Sequence, residues 1–274
     1  MTFPTIDALD RELRRLESRQ QMSSREDIPA YPVAFAMSVG IEPDEWQIAV
    51  LASDHPRKIL CCGRQTGKST VGAVLAVHAA LTRPGSTVLV VAPGERQAKL
   101  LFQKAARLYE QAGHPLPAHS HRRTGLELAN GSVIEALPAV ERTTRGYSVD
   151  LLVVDEAAAV PDEDYFGILP SLIATQGEQV LLSTPRGKRG FFFELWHSDD
   201  DWQRVMVRSD QVGRIREEDL EVFRATMPEQ FFGQEFYCEW LDTEGSLFGY
   251  DDIEAALAAG ENVAAMEIGE DDEW

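Results

Sequence analysis

Residues 58–70 read Lys58-Ile59-Leu60-Cys61-Cys62-Gly63-Arg64-Gln65-Thr66-Gly67-Lys68-Ser69-Thr70. A short apolar run, Lys58–Cys62, gives way to a glycine-bearing turn, and the Ala- and Val-rich stretch Gly67–Leu81 that follows is helical in pattern. Strand, loop and helix in that order is the context in which a loop wraps phosphate. Glycine lets backbone N–H groups close around phosphate oxygens, and the helix N-terminus adds positive potential. Lys68 can then reach the terminal phosphates, and the Ser69 hydroxyl can ligate Mg²⁺. The spacing departs from the standard loop: its first glycine belongs at position 62, where this chain has Cys62, and Gly63 comes one residue later.

Downstream the same alternation repeats. Ser86–Ala92 reads as a buried strand and Glu95–Gln111 as an amphipathic helix carrying Leu100, Leu101, Ala105 and Leu108. Leu126–Ala129 and Ser132–Ala136 flank Asn130-Gly131, a favoured hairpin turn, and predict a hairpin insertion. Leu151–Val154, Val180–Ser183 and Gln203–Val207 supply further strands, with helical stretches near Tyr165–Ala174 and Arg216–Thr226. The order predicts an α/β fold: a largely parallel sheet of at least five strands, helices on both faces, the hairpin, and a small C-terminal lid or linker region. The loop motif on the first strand is what makes the P-loop NTPase (RecA/ASCE-like) class the expected one.

The 274 residues divide into an N-terminal helical segment (1–35), with Pro29 and Pro32 in a loop, a P-loop domain (36–245) and an acidic C-terminal linker or tail (246–274). Glu229–Trp240 is too aromatic for a linker and is expected to pack back on the core. Three cysteines make neither a zinc spacing nor an even disulfide framework, which suits a reducing compartment. No window approaches a membrane span, and no signal peptide is evident. The net charge of −19 is uneven: Asp251–Trp274 holds nine acidic residues and no Lys or Arg, close to half of it. Basic residues gather instead in short sets that include Arg122 with Arg123, and Arg186 with Lys188 and Arg189.

Two further motifs fit the loop. Leu151–Val154 ends in Asp155-Glu156, where Asp155 can hold the Mg²⁺ shell and Glu156 can orient or deprotonate an attacking water. Leu181-Leu182-Ser183-Thr184-Pro185-Arg186-Gly187 ends another strand with hydroxyls on the same rim, so Ser183 and Thr184 can respond to the loss of a γ-phosphate. Arg64, a guanidinium inside the loop, can sense or stabilise that phosphate.

With these motifs in order, the chain resembles, over roughly residues 40–250, the ATPase domain of the large terminase subunit, the viral motor that pumps DNA into capsids. RQTGKST resembles that family's deviant Walker A motif, LLVVDEAAAV its Walker B with the catalytic glutamate, and LLSTPRGKRGFFFELW its coupling motif. The resemblance implies ATP and Mg²⁺, with Gly63, Arg64, Gln65, Thr66, Gly67, Lys68, Ser69 and Thr70 around the phosphates and Gln47 reading adenine. It implies Ser69 and Asp155 on the metal, Glu156 as catalytic base, Ser183 and Thr184 in coupling, and an arginine finger offered to a neighbouring subunit by Arg145, with Arg142 the rival.

The implied partners are double-stranded DNA, the portal protein, the small terminase subunit and further copies of the chain in an about pentameric ring, the isolated domain being monomeric. The implied location is the host cytoplasm, transiently at the procapsid portal. The family usually continues into an RNase H-like nuclease domain, and no cleavage activity is expected of this chain. Three alternatives stay open: a helicase or translocase ATPase outside packaging, a P-loop small-molecule kinase, and a non-catalytic nucleotide-binding scaffold.

Overall fold

Alternate residues of the first strand face opposite cores. Leu60 and Cys62 of β1 (Arg57–Cys62) pack into one apolar cluster, and Ile59 and Cys61 into another. Both faces of a strand are buried in this way only when the sheet is covered on both sides, which is why the strand reads as an unbroken apolar run. The computed structural model describes residues 28–140 and 146–242.

Within them β1 is followed by α3 (Lys68–Thr82), after two short helices, α1 (Pro32–Ser38) and α2 (Glu45–Leu51). Next come β2 (Thr87–Ala92), α4 (Glu95–Gln111), β3 (Ala118–His121), β4 (Gly125–Leu128), β5 (Val133–Pro138) and β6 (Leu151–Asp155). The described chain ends with α5 (Asp162–Ile168), β7 (Glu178–Ser183), α6 (Gly190–His197), β8 (Gln203–Val207), α7 (Glu217–Thr226) and α8 (Glu229–Tyr237).

The eight strands form one sheet in the order β3-β4-β5-β2-β6-β7-β1-β8. The six from β5 to β8 are parallel, and β4 and β3 extend the β5 edge antiparallel. Helices α1 to α4 cover one face, burying Phe35, Val74, Leu101 and Phe102 against Leu60, Val90 and Val153. Helices α5 and α6 cover the other, burying Tyr165, Phe191 and Phe192 against Leu89, Val154 and Leu181. The α/β class with helices on both faces is therefore as expected.

Three local differences have physical causes. The Asn130-Gly131 turn joins β4 to β5 as expected, but β5 also pairs in parallel with β2, so the hairpin is built into the main sheet. Helix α5 stops at Ile168 and continues only as a 3-10 turn, Leu169–Leu172, because Pro170 lacks the N–H a longer α-helix needs. Pro32 opens α1 rather than lying in a loop, since a missing N–H costs nothing in the first helical turn.

The aromatic stretch after residue 229 does pack back. Leu220, Phe232 and Phe236 form a small core between α7 and α8, and Trp240 lies against Phe192 and Phe193. The segment 1–27 and the acidic tail from residue 246 lie outside the described residues.

Candidate nucleotide-binding and hydrolysis site

Because β7 pairs in parallel with both β1 and β6, the carboxyl ends of the three strands lie side by side, with Cys61 opposite Ser183 and Asp155 opposite Leu182. Ligands of open parallel sheets bind outside this edge. The loop 63–67 leaves β1 there and starts α3 at Lys68. Lys68 is largely buried, and its Nζ sits 3.2 Å from Glu156 Oε1. The Ser69 hydroxyl donates to Asp155 Oδ2 at 3.0 Å. Four groups from two distant stretches of the chain thus share one rim.

The backbone of the loop alternates. Gln65 (φ 62°) and Gly67 (φ 96°) are left-handed, the alternation that turns successive N–H groups toward one anion. The N–H groups of Gly63 and Arg64 are not among the phosphate-facing donors: they donate to Val207 and Glu235 carbonyls, each at 2.8 Å. The expectation that both offer their backbone N–H groups to phosphate is therefore corrected. Thr66 is fully buried and its hydroxyl donates to the Gly63 carbonyl at 2.8 Å, so its side chain braces the loop.

The displaced glycine has a packing cause. A Cβ at Gly63 would lie 2.5 Å from Ser209 Oγ and 2.6 Å from the Phe236 carbonyl, whereas Cys62, at the standard position, has ample partners in the core.

Arg64 turns its guanidinium to the Glu235 carboxylate of α8. Gln47 is buried rather than on a helix surface: its Oε1 accepts the Asp44 N–H at 2.9 Å in a capping box, and its Nε2 points at the Gly67 carbonyl, 3.5 Å away. Thr70 Oγ1 accepts from Lys104 Nζ at 3.3 Å, a lysine of α4 that the motifs did not reveal. Ser183 is buried, and its Oγ accepts the Ala158 N–H at 3.1 Å, joining the end of β7 to the turn after Glu156. Thr184 follows on the same rim, also buried. Arg142 and Arg145 lie outside the described residues.

Burial first, and the Glu156 carboxylate second, push the Asp155 carboxyl above its ordinary range, while Lys68 and the Ser69 hydroxyl pull it down. Burial likewise lowers the Lys104 ammonium, against the opposing attraction of Asp155. Glu156 itself is held at φ 52°, a left-handed conformation that costs a non-glycine residue about 1–3 kcal/mol and is typical of residues positioned for chemistry.

The donor set suits Mg²⁺ with a nucleotide phosphate. Ser69 and Asp155 are hard oxygen donors 3.0 Å apart, and among the described residues no cluster of three or more His, Cys, Asp or Glu forms an all-protein cage. Mg²⁺ is usually bound by one or two such groups, the rest of its shell being water and phosphate.

Comparison with known proteins agrees with this geometry. The family "Terminase large subunit, T4likevirus-type, N-terminal" matches residues 59–255. The terminase large subunit of Thermus virus P23-45 is 27% identical over 247 residues, covering 77% of this chain and 51% of its own length. That of Escherichia phage T5 is 29% identical over 221 residues, covering 76% and 50%. The chain thus spans about half the length of these relatives. Among solved structures, the large terminase ATPase domain of Thermus phage P74-26 superposes with a TM-score of 0.70 at 25% identity, over 78% of this chain and all of that one. The large terminase of bacteriophage HK97, 18% identical, shares the fold with a TM-score of 0.63, over 80% and 56%. On the extent of the family match, and with the three motifs brought to one sheet edge, the chain belongs to the terminase large subunit family and carries its N-terminal domain.

Proposed function

We propose that this domain hydrolyses ATP to drive double-stranded viral DNA into a preformed capsid. The observation that carries the proposal is the convergence of Lys68, Ser69, Asp155 and Glu156 on one rim, with Lys68 Nζ 3.2 Å from Glu156 Oε1 and Ser69 Oγ 3.0 Å from Asp155 Oδ2.

In this reading the N–H groups of residues 65–69 and Lys68 hold the β- and γ-phosphates. Ser69 and Asp155 hold Mg²⁺, which when bound neutralises developing phosphate charge. Glu156 orients a water and accepts its proton as the water oxygen bonds to the γ-phosphorus and the bond to the β-phosphate oxygen breaks. Gln47 presents its amide to adenine. Ser183, hydrogen-bonded to the turn after Glu156, carries the change toward Thr184 and the segment 185–189. Arg64 exchanges its Glu235 partner for the γ-phosphate.

Arg145, or Arg142, acts as a finger on the neighbouring subunit, so full activity requires an about pentameric ring on the portal protein in the host cytoplasm, with DNA delivered by the small subunit. A kinase reading is less favourable, because Glu156 beside Asp155 is suited to activating water rather than leaving a dry site for an acceptor.

DNA is held through its phosphates without base readout. The candidates are Arg122 and Arg123, which share a cleft of about 380 Å³ with Lys99, Arg107 and His121, and the turn at Arg186 and Arg189. Lys188 in that turn is paired with Asp242.

The test is steady-state ATP hydrolysis across protein concentration for the parent, Arg145→Ala, Glu156→Ala and equimolar mixtures of the two variants. Activity that rises steeply with concentration, disappears in each variant and returns in part on mixing is the expected result. Per-subunit activity independent of concentration and untouched by Arg145→Ala would remove Arg145 from the site, and absence of turnover at any concentration would leave a nucleotide-binding scaffold.

A further inference from the structure

The phosphate loop is gripped from behind. Each carbonyl from Gly63 to Gly67 accepts from a side chain: Gly63 from Thr66 Oγ1, Arg64 from Ser209 Oγ, Gln65 and Thr66 from Arg214, and Gly67 from Gln47 Nε2. Arg214 carries the central share. Its Nη2 donates to the Gln65 carbonyl at 3.5 Å and more closely to the Thr66 carbonyl, while its Nη1 is ion-paired with the Asp44 carboxylate.

The backbone that presents Arg214 is anchored on both sides. Val212 is buried in the core cluster that holds α3, Ile215 packs against the same cluster, and the Ile215 N–H donates to the Val212 carbonyl at 2.9 Å. The guanidinium then fills the space beside Gly67, where a Cβ would come within 2.8 Å of Nη2 and 2.7 Å of Gln47 Nε2.

From this geometry we infer that Arg214 is the positioning residue that sets nucleotide affinity, by holding the phosphate loop in its anion-binding form and tying it to the helix that carries Gln47. The inference rests on the nucleotide-binding reading above. Its chemistry is direct. A peptide unit points its carbonyl and its N–H in opposite directions, so a donor that fixes the Gln65 and Thr66 carbonyls outward fixes the N–H groups of Thr66 and Gly67 inward. A cation on those carbonyls also polarises the two peptides toward stronger donation.

The left-handed Gln65 makes such a brace necessary, because a non-glycine residue leaves that conformation unless its surroundings hold it. On the other side of the guanidinium, Asp44 is the N-cap of α2, and the Asp44 N–H fixes the Gln47 amide with Oε1 toward the cap and Nε2 toward Gly67. One side chain from the segment before α7 thereby links the phosphate loop to the base-side helix. Its planar fork serves two carbonyls and a carboxylate at once, which a lysine ammonium at the end of a flexible stem does not reproduce.

The experiment measures Kd for a fluorescent ADP with Mg²⁺, KM and kcat for ATP, and the melting midpoint with and without Mg²⁺–ADP. The proteins are the parent, Arg214→Ala, Arg214→Lys, Asp44→Asn, the Asp44→Asn/Arg214→Ala double variant, and Lys68→Ala. Arg214→Ala is expected to raise Kd and KM roughly tenfold, as loss of a charge-assisted contact does, with a smaller change in kcat. The ligand-free midpoint stays near the parent's while the shift on adding Mg²⁺–ADP shrinks. Lysine does not restore affinity, and the double variant is no weaker than Arg214→Ala, because both changes break one linkage.

An unchanged Kd in Arg214→Ala, or a fall in melting midpoint equal with and without nucleotide, overturns the inference while leaving nucleotide binding intact. A parent that binds no better than Lys68→Ala overturns the nucleotide-binding reading itself.

Discussion

Lys68 Nζ and Glu156 Oε1 face each other at 3.2 Å across the rim between α3 and the end of β6. The contact pairs a largely buried ammonium with a carboxylate that is itself about one-third exposed, so the pair rests at the border of the site rather than in its interior. A nucleotide's terminal phosphates carry more charge than one carboxylate and would displace Glu156 as the partner of Lys68. On the proposed mechanism Glu156 is then released to hold water.

The two residues should therefore separate by function. Glu156→Gln, which keeps shape and hydrogen-bonding capacity, is expected to retain nucleotide affinity and lose turnover by about 100-fold or more. Lys68→Ala loses both. Equilibrium binding alongside single-turnover hydrolysis reads the difference, and a Glu156→Gln protein hydrolysing ATP at the parental rate would end its assignment as base.

Arg64 offers a second separation. Its guanidinium pairs with Glu235 on α8, and its own N–H donates to the Glu235 carbonyl, so residue 235 holds both the backbone and the side chain of the loop. Removing the carboxylate with Glu235→Gln breaks only the side-chain contact. Turnover is expected to fall by at least tenfold in Arg64→Ala, as when a charge that stabilises the transferring phosphoryl is lost, and to stay within about twofold of the parent in Glu235→Gln. Equal losses in both variants would instead make the ion pair structural.

How far these elements were legible from residues alone depends on whether the signal was local. The strand Gln203–Val207 and the helix Glu95–Gln111 match to the residue, because Val205 and Val207 alternate toward the core along one and Leu101, Ala105 and Leu108 recur at helical spacing along the other. That Lys68, Ser69, Asp155 and Glu156 meet on one rim was legible, since a loop between strand and helix and a carboxylate pair after a strand of the same parallel sheet end on the same edge.

Arg214, Lys104 and Ser209 were not legible. Each meets the loop only through the strand order that brings β8 beside β1, or through the packing of α4 on α3, and no spacing in the chain announces such a contact. The burial of Gln47 is announced by no spacing either: its partners are the cap at Asp44 and the distant Gly67. The short strand β3, residues Ala118–His121, has no apolar alternation and exists because β4 offers it an edge.

His78 makes a pH prediction. It sits on α3 beneath α1, its ring centroid 6.0 Å from that of Phe35 and its Nε2 3.0 Å from the Pro29 carbonyl. Burial, the largest effect, lowers its pKa below the ordinary 6.5, with hydrogen bonds to Pro29 and Ala30 opposing and Arg83 assisting. A depressed folded-state pKa means that the neutral ring contributes stability above about pH 6.5, and that this contribution is lost as pH falls through the folded value. Melting midpoints recorded from about pH 8 down to about pH 5 are expected to fall more steeply for the parent than for His78→Gln, which keeps a donor for Pro29 but does not titrate. Parallel profiles would mean that the imidazole carries no such linkage.

The last prediction concerns the glycine that stands one place late in the phosphate loop. Gly63 emerges from β1 directly under the Phe236 carbonyl and Ser209, with its N–H on the Val207 carbonyl, so no side chain fits between the loop and α8. Gly63→Ala must push backbone aside, since one of the atoms met is a main-chain carbonyl rather than a flexible side-chain tip. The expected cost is about 1–3 kcal/mol of stability, read by urea denaturation. Because the Glu235 carbonyl of α8 accepts the Arg64 N–H and so holds the loop backbone, nucleotide affinity should weaken with it.

Gly213→Ala is the control. Nothing lies within 4 Å of the position its methyl group would take and its backbone is not left-handed, so the change should be neutral or stabilising by a few tenths of a kcal/mol. Cys62→Gly, which restores the standard glycine position, should instead destabilise, because it removes a side chain that is fully buried in the core beneath the loop. If Gly63→Ala unfolds with the parent and Cys62→Gly is harmless, packing against α8 is not what moved the glycine.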